Sequence, residues 1–109
     1  MKRFKLIFFV PKESANIVKE AIFKTGAGQI GNYSHCCFET TGVGQFKPLI
    51  GATPAIGSVG VIEKVEELKI EILVLENQME LALKALKNSH PYESIAFDII
   101  KLEDRFNMD

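Results

Sequence analysis

Residues 4–10, FKLIFFV, are the segment from which the fold is inferred. The segment is short and rich in aromatic and β-branched residues, and Pro11 follows it, so it is predicted to be a β-strand. A strand whose two faces are both apolar is stable only when both are covered. Both faces of this one are apolar, with Phe4, Leu6, Phe8 and Val10 on one and Ile7 and Phe9 on the other.

Alternating helices and strands are predicted on the C-terminal side of this segment. Ala15, Val18 and Ile22 recur at helical spacing and predict a helix that begins near Pro11 and that Gly26 ends. The complete set comprises strands over residues 4–10, 33–40, 61–75 and 95–102, a helix over residues 11–25, and a helix from Asn77 to the turn at residues 88–93.

Two segments are irregular. Residues 42–60 contain five glycines and two prolines, which is too broken a pattern for a helix or a long strand. Because Phe46 and Ile56 favour burial, an ordered loop is predicted there, with a brief strand near Phe46. In residues 61–75 the apolar positions change from odd to even numbers, so a bulge is predicted near Glu66 and Glu67.

The order strand, helix, strand, strand, helix, strand fits one α+β domain over residues 1–109, of the ferredoxin-like βαββαβ type. In that fold a four-stranded antiparallel sheet carries both helices on one face. The other face is open to water unless a further layer covers it. Because the first and last strands are apolar on both sides, self-association across the open face is predicted.

Composition argues against several classes of protein. The 109 residues carry 13 basic and 14 acidic side chains, and a net charge of −1 argues against nucleic acid as a partner. No apolar run approaches the roughly 18–20 residues of a membrane span, and the apolar segment after Met1 lacks a signal-peptide cleavage site. Cys36 and Cys37 are adjacent, so a disulfide between them would be strained, and a reducing compartment, the cytoplasm, is expected.

The string GAGQIG at residues 26–31 has the glycine spacing of a dinucleotide-binding fingerprint. That fingerprint needs a strand before it and a helix after it. Here a helix is predicted to precede the string and a strand to follow it. The glycines are therefore interpreted as a tight turn that needs positive φ angles.

Potential metal ligands occur on the second predicted strand, where His35, Cys37 and Glu39 share a face. Alternate residues of a strand lie about 7 Å apart, so one strand rarely supplies three ligands to one ion. His35 and Cys37, together with His90, are weak metal candidates, and a polar interface is the alternative. No base that would activate Cys37 as a nucleophile is recognisable.

Residues 90–93, HPYE, gather an imidazole, a phenol and a carboxylate in one turn. One interpretation is a histidine that ends a helix near the negative end of its dipole. The other is a site for a small ligand or a partner. Four glutamates of the third predicted strand are interpreted as a solvated strand edge, with cation binding as the alternative. They are Glu63, Glu66, Glu67 and Glu71.

Spaced residues between about positions 4 and 102 resemble a known family. The strings GAGxIGNY at 26–33, GxGxFxP at 42–48, GAxPxIG at 51–57 and HPYExxAFD at 90–98 are similar to the domain inserted in Nif-three-like dinuclear-metal-centre proteins. The resemblance implies a PII/CutA-like subunit that forms trimers through its sheet, here as a stand-alone small protein. The family's metal centre lies in the flanking domain, so hydrolase activity is not implied for this chain.

The expected function is a non-enzymatic homo-oligomer that binds a small ligand, a metal ion or a protein partner in a cleft between subunits. The glycine-rich loop and the turn at 90–93 are expected to line that cleft, and the sequence identifies no cofactor. One alternative is a metal-independent enzyme in which Glu93 or Glu63 orients His90 as acid and base. Another is a docking subunit of a larger protein. The candidate ligand-binding residues are Gly31, Asn32, Tyr33, Glu63, His90, Tyr92 and Glu93.

Overall fold

The computed structural model describes residues 1–106. Short 3₁₀ turns at Lys12–Ser14 and Glu76–Gln78 lead into the two helices. The regular elements, in chain order, are β1 (Arg3–Pro11), α1 (Ala15–Phe23), β2 (Phe38–Phe46), β3 (Glu63–Leu75), α2 (Met79–Ser89) and β4 (Phe97–Lys101).

The four strands form one antiparallel sheet in the order β2-β3-β1-β4. Both helices pack on the same face, because the alternate residues of β1 and β3 that point to that face are the buried ones. This is the ferredoxin-like βαββαβ arrangement, as the order of predicted elements indicated. The predicted fold class is therefore confirmed.

The hydrophobic core lies between the sheet and the helices. Directly paired residues such as Phe8 and Ile70, or Leu6 and Ile72, have no exposed surface. Each such side chain contributes about 1.5–3 kcal/mol by leaving water. From the helices, the core receives Ala15, Val18, Ile22, Ala82 and Leu86.

The bulge predicted near Glu66 and Glu67 is wrong. Pairing of β3 with β2 runs from Phe38 opposite Glu71 to Phe46 opposite Glu63 without interruption. The change of phase has another cause. β1 pairs with β3 only as far as Glu67, so the buried helix-facing positions begin at Leu68 and the residues before it project beyond the core.

The second strand was predicted five residues too early. His35 has a φ of 60°, which no strand residue adopts, and the Cys36 amide donates to the carbonyl of Gly28 at 2.8 Å. The chain before Phe38 therefore belongs to the preceding turn. Glycine is unfavourable in strands unless another group needs the space, and here the Glu67 side chain lies where a Cβ at Gly44 would stand.

The predicted glycine turn is confirmed. Gly26 and Gly28 have φ angles of 95° and 81°, a region that only glycine adopts readily. Gln78 ties this turn to the other helix, because its side chain donates to the Gly26 carbonyl and accepts from the Leu75 amide, both at 3.0 Å. The turn is thus a joint between the end of α1 and the start of α2.

The molecule is elongated, with extents of 51 × 24 × 23 Å and a radius of gyration of 15.3 Å. A compact chain of this length would have a radius of about 13 Å. The excess comes from β2, β3 and their connection, which continue past the end of β1. Within residues 1–106, neither helix has the length and apolar character needed to cross a bilayer.

Candidate functional site

A cleft of about 560 Å³ opens at the end of the sheet where β1 stops and β4 begins. Two irregular segments form its walls: the β2–β3 loop, residues 47–62, and the α2–β4 turn, residues 90–96. Most lining atoms belong to carbon-rich side chains. The main lining residues are Phe9, Gly44, Phe46, Pro48, Leu49, Ala52, Pro54, Ile56, Glu67, Tyr92, Glu93 and Ala96.

His90 holds the α2–β4 turn in place. Its Nε2 lies 2.7 Å from the Phe9 carbonyl oxygen, and the Tyr92 amide donates to Nδ1 at 3.1 Å. Because Nδ1 accepts, Nε2 carries the proton and donates. β4 pairing starts beyond this point, so His90 satisfies a carbonyl at the end of the β1 ladder that would otherwise be buried without a partner.

The acid–base role considered for His90 is therefore wrong. His90 is 7% exposed as a residue, and backbone groups occupy both ring nitrogens. Burial lowers the pKa of His90, which favours the neutral ring that this hydrogen bonding requires. The imidazole does not line the cleft. The interpretation of a helix-ending histidine agrees with its position as the C-cap of α2.

Glu93 connects the two walls of the cleft. Its carboxylate accepts a hydrogen bond of 2.8 Å from the backbone amide of Thr53 in the β2–β3 loop. The turn also contacts the end of β2, where the Phe46 and Tyr92 rings meet edge-on with centroids 5.8 Å apart. The α2–β4 turn thus fixes the position of the loop opposite it, and the Glu93 carboxylate is engaged by backbone.

Tyr92 and Glu67 form the polar part of the cleft. The hydroxyl oxygen of Tyr92 is buried and has no hydrogen-bond partner of good geometry among residues 1–106. Burial, followed by the neighbouring Glu67 carboxylate, raises the pKa of Tyr92 to about 12. Gly44 makes this arrangement possible, since a Cβ there would displace the Glu67 carboxylate.

Glu67 lines the cleft but was not among the candidate ligand-binding residues. The acidic run was assigned to a strand edge, but β3 is an inner strand and Glu67 pairs with both neighbours, Gly42 and Pro11. The signal that was present is the pair of glycines, Gly42 and Gly44, opposite a long charged side chain. It could be recognised only once the register was known.

The other candidate ligand-binding residues lie elsewhere. Gly31 and Asn32 are the two loop residues of an exposed hairpin that hydrogen bonds between Ile30 and Tyr33 close. The turn that carries it is bonded to Leu73, six strand residues and about 20 Å from Glu67. Glu63 packs against Gly57 in the β2–β3 loop. Within one chain the predicted group is therefore divided between the two ends of the sheet.

The metal candidates are also separated. His35 lies beside Ser34 at 2.9 Å and Glu20 at 3.5 Å, whereas His90 is engaged at the opposite end of the sheet. Burial raises the pKa of the Cys37 thiol, partly offset by Lys19, which disfavours the thiolate that metals bind. Residues 1–106 contain no group of three or more His, Cys, Asp or Glu side chains arranged to hold a metal ion.

Comparison with known proteins gives a consistent placement, although no family model matches the chain. The chain is 48% identical over 99 residues to a GTP cyclohydrolase 1 type 2 homolog of Halalkalibacterium halodurans. The matched region covers 91% of this chain and 27% of that protein. The protein of the same name from Bacillus subtilis is 46% identical over 99 residues, with 91% and 26% covered. The chain spans about a quarter of the length of these relatives.

Solved structures extend the comparison to the fold. A Bacillus cereus protein related to NIF3 superposes with a TM-score of 0.81 at 38% identity, over 94% of this chain and 26% of that one. CutA1 of Pyrococcus horikoshii gives a TM-score of 0.68 at 20% identity, over 97% and 88%. The chain is therefore similar to one segment of NIF3-related proteins and has the fold of CutA, as the motif resemblance implied.

Proposed function

We propose that this chain, a relative of one segment of NIF3-related proteins with a CutA-like fold, is a non-enzymatic module that binds a small ligand in its cleft and assembles into homo-oligomers. The observation that carries the proposal is the cleft itself. Its volume of about 560 Å³ falls within the range of roughly 300–1,000 Å³ typical of small-molecule sites. Of the ligand types expected from sequence, the carbon-rich lining favours an organic molecule.

The structure of the cleft walls supports a binding role. Such sites combine apolar walls with a few fixed polar groups, and this cleft offers the Tyr92 hydroxyl and the Glu67 carboxylate between aromatic and aliphatic side chains. The hydrogen bond from Thr53 to Glu93 holds the β2–β3 loop in a defined position. A ligand would therefore enter a site that is already formed, which reduces the entropy lost on binding.

The uncovered face of the sheet supports self-association. Apolar and charged side chains of both signs alternate on that face, so it can complement a second copy of itself. A trimer is the assembly that the family resemblance suggests. The face includes Lys5, Ile7, Phe9, Phe38, Lys69, Glu71, Leu73, Asp98 and Ile100.

Two variants test the assembly. Phe38, 68% exposed on the open face, and Ile17, 69% exposed on α1, are matched in exposure. We expect Phe38→Lys to convert the oligomer to monomers in sedimentation velocity at micromolar concentration, and Ile17→Lys to leave it assembled. A wild-type protein that sediments as a stable monomer would remove self-association from the proposal.

Native mass spectrometry of untagged protein tests the binding role. We expect the oligomer to retain, or to take up, small molecules that are absent after denaturation. The Thr53→Pro variant, which lacks the amide that Glu93 accepts from, is expected to retain less. Equal retention by the variant would place the ligand outside the cleft.

The proposal also includes a reducing compartment such as the cytoplasm, because Cys36 and Cys37 are both free thiols.

A docking subunit is the second candidate function, and the β2–β3 loop favours it. The loop projects from the sheet and exposes Leu49 and Ile50, the latter 97% exposed, with Val61 and Ile62 at its far end. Exposed apolar clusters of this kind mark protein interfaces. Affinity purification with wild type and an Ile50→Ser/Ile62→Ser variant, which leaves the cleft lining unchanged, separates the two functions when followed by mass spectrometry. Docking predicts a stoichiometric partner protein that only the wild type retains.

A further inference from the structure

We infer that the ligand of the cleft is an organic cation, with an ammonium or amidinium group that pairs with Glu67 and an apolar body that packs between the aromatic side chains. This inference rests on the proposed function, because it names the ligand class for the same cleft. Three observations carry it: the charge balance of the lining, the buried Tyr92 hydroxyl beside Glu67, and the aromatic walls.

The charge balance of the cleft is negative. Its charged lining residues are Lys47, Glu67 and Glu93. Lys47 is exposed at the rim, and the Thr53 amide already engages Glu93. Glu67 makes no ion pair within 4 Å in the part of the chain that the structure describes, and it is half-buried. An unpaired carboxylate in a partly apolar cleft is stabilised by a cation brought to it.

Neighbouring acidic residues strengthen the same preference. Glu13 and Glu63 lie near enough to Tyr92 to add to the negative potential at its hydroxyl. The nearest ion pair of β3, between Lys12 and Glu66 at 3.4 Å, lies on the helix-facing side of the strand, and so does not neutralise Glu67. An anionic ligand would meet repulsion here, and a cation attraction.

The Tyr92 hydroxyl adds a hydrogen-bonding requirement. Its oxygen is buried and makes no hydrogen bond of good geometry within residues 1–106, although the Glu67 carboxylate lies close enough to act on the phenol as an acceptor. Buried polar groups are almost always bonded, so the oxygen has capacity left to accept. Its high pKa keeps the phenol neutral at physiological pH. An ammonium or amidinium N–H can donate to the phenol oxygen while another N–H donates to Glu67, so one group satisfies both. A carboxylate or phosphate could accept from the phenol but would face Glu67.

The apolar walls suit the body of such a ligand. Phe9, Phe46 and Tyr92 bring three aromatic rings to the lining, and Pro48, Pro54 and Ile56 supply aliphatic surface. Aromatic faces attract organic cations through their quadrupoles. Gly44 keeps the Glu67 carboxylate over the sheet, where it faces the cleft.

Three probes of similar size and different charge test the inference: 2-phenylethylammonium, 2-phenylethanol and phenylacetate. Binding to the intact protein is measured by ¹H–¹⁵N correlation spectra, with shifts of the Thr53 and Tyr92 amides as the report. We expect the cation to bind about tenfold more tightly than the alcohol, and phenylacetate to bind least, because one charge-assisted hydrogen bond accounts for a factor of that size.

Two substitutions assign the effect to Glu67. Glu67→Gln, which preserves shape, is expected to lower the affinity for 2-phenylethylammonium about tenfold and to leave that for the alcohol unchanged. Gly44→Ala is expected to lower it as well by displacing the carboxylate. Glu66→Gln, one residue away on the opposite face of the same strand, is the control and is expected to change nothing.

The outcomes separate this inference from the proposed function. If the alcohol binds in the cleft as tightly as the cation, or if Glu67→Gln weakens both equally, the cleft is a binding site but not one for cations. If none of the three probes shifts the cleft amides at millimolar concentration, the cation inference is overturned, and the small-molecule function is decided by native mass spectrometry alone. Tighter binding of phenylacetate would overturn the cation inference alone.

Discussion

The two ends of the sheet use similar residue types in different ways. At one end, the glycine turn, residues 24–37, is hydrogen-bonded to the rest of the domain. The Gly28 amide donates to the Leu73 carbonyl at 2.8 Å, and the Gln78 side chain donates to the Gly26 carbonyl at 3.0 Å. At the other end His90 and Glu93 are engaged in the same structural way. Beside them, however, the buried Tyr92 hydroxyl and the adjacent Glu67 carboxylate face a cavity, and neither is engaged by backbone within residues 1–106.

This difference distinguishes side chains that hold the backbone in place from side chains that are available to bind a ligand. A histidine, a cysteine or a glycine-rich string attracts attention in a sequence because of its chemistry, but each can be consumed by backbone hydrogen bonds. The groups available to a ligand are those with spare hydrogen-bonding capacity beside open space. In this molecule they are Glu67 and Tyr92, at the cleft end.

Replacing His90 is expected to cost the most stability. His90→Ala leaves the Phe9 carbonyl and the Tyr92 amide without their partner and opens a small cavity. The expected loss in the free energy of unfolding is about 3 kcal/mol. His35→Ala, at the glycine turn, removes exposed contacts and is expected to cost less than about 0.5 kcal/mol. Urea denaturation at one fixed protein concentration measures both. Comparable losses in the free energy of unfolding would show that the two histidines stabilise the fold equally, which would contradict the contrast between the two ends.

Acid is expected to destabilise the protein through the same residue. Burial lowers the pKa of His90 from its ordinary value of 6.5, so between the two pKa values the unfolded chain binds a proton that the folded protein does not. Its contribution is complete above pH 6.5 and is lost as pH falls from there toward the folded-state pKa. The expected slope is about 1 kcal/mol per pH unit.

Urea midpoints between pH 8 and pH 5.5 measure this slope. The matched variant is His90→Gln, which is expected to be less stable throughout and to show little pH dependence above the range where carboxylates titrate. A decline of the same size in the variant would assign the effect to other groups, and His90 would then not be the neutral, buried histidine that its hydrogen bonds describe.

The fold was largely predictable because its signals are local. Alternation marks β1 and β3, helical spacing marks the buried stripes of α1 and α2, and these periods do not depend on distant residues. The strand β2 was misplaced because its glycines make room for the side chain of Glu67, which lies twenty-three residues after Gly44 in the chain. The sequence cannot show that contact, since it follows from the register of β2 on β3.

The candidate site was predictable only in part for the same reason. The turn at residues 90–93 has a recognisable composition, and Tyr92 and Glu93 do line the cleft. Gly31, Asn32 and Tyr33 had equally suggestive composition but lie at the other end of the sheet. Composition identifies residues capable of chemistry, whereas their convergence is decided by strand pairing.

Removing the Glu93 carboxylate is expected to have the smallest global effect and the most local one. Glu93→Ala frees the Thr53 amide, which lies in an exposed loop, so the stability of the whole domain should change by less than about 1 kcal/mol. The β2–β3 loop, however, loses the bond that joins it to the opposite wall. Hydrogen exchange at Thr53 is expected to accelerate about tenfold, while exchange at core amides such as those of Phe8 and Ile70 stays unchanged.

Glu63→Ala is the control, because Glu63 packs against the same loop at Gly57 without accepting a bond from it. If Thr53 exchanges at the same rate in wild type and Glu93→Ala, the loop is held by its own packing and the α2–β4 turn does not set the shape of the cleft.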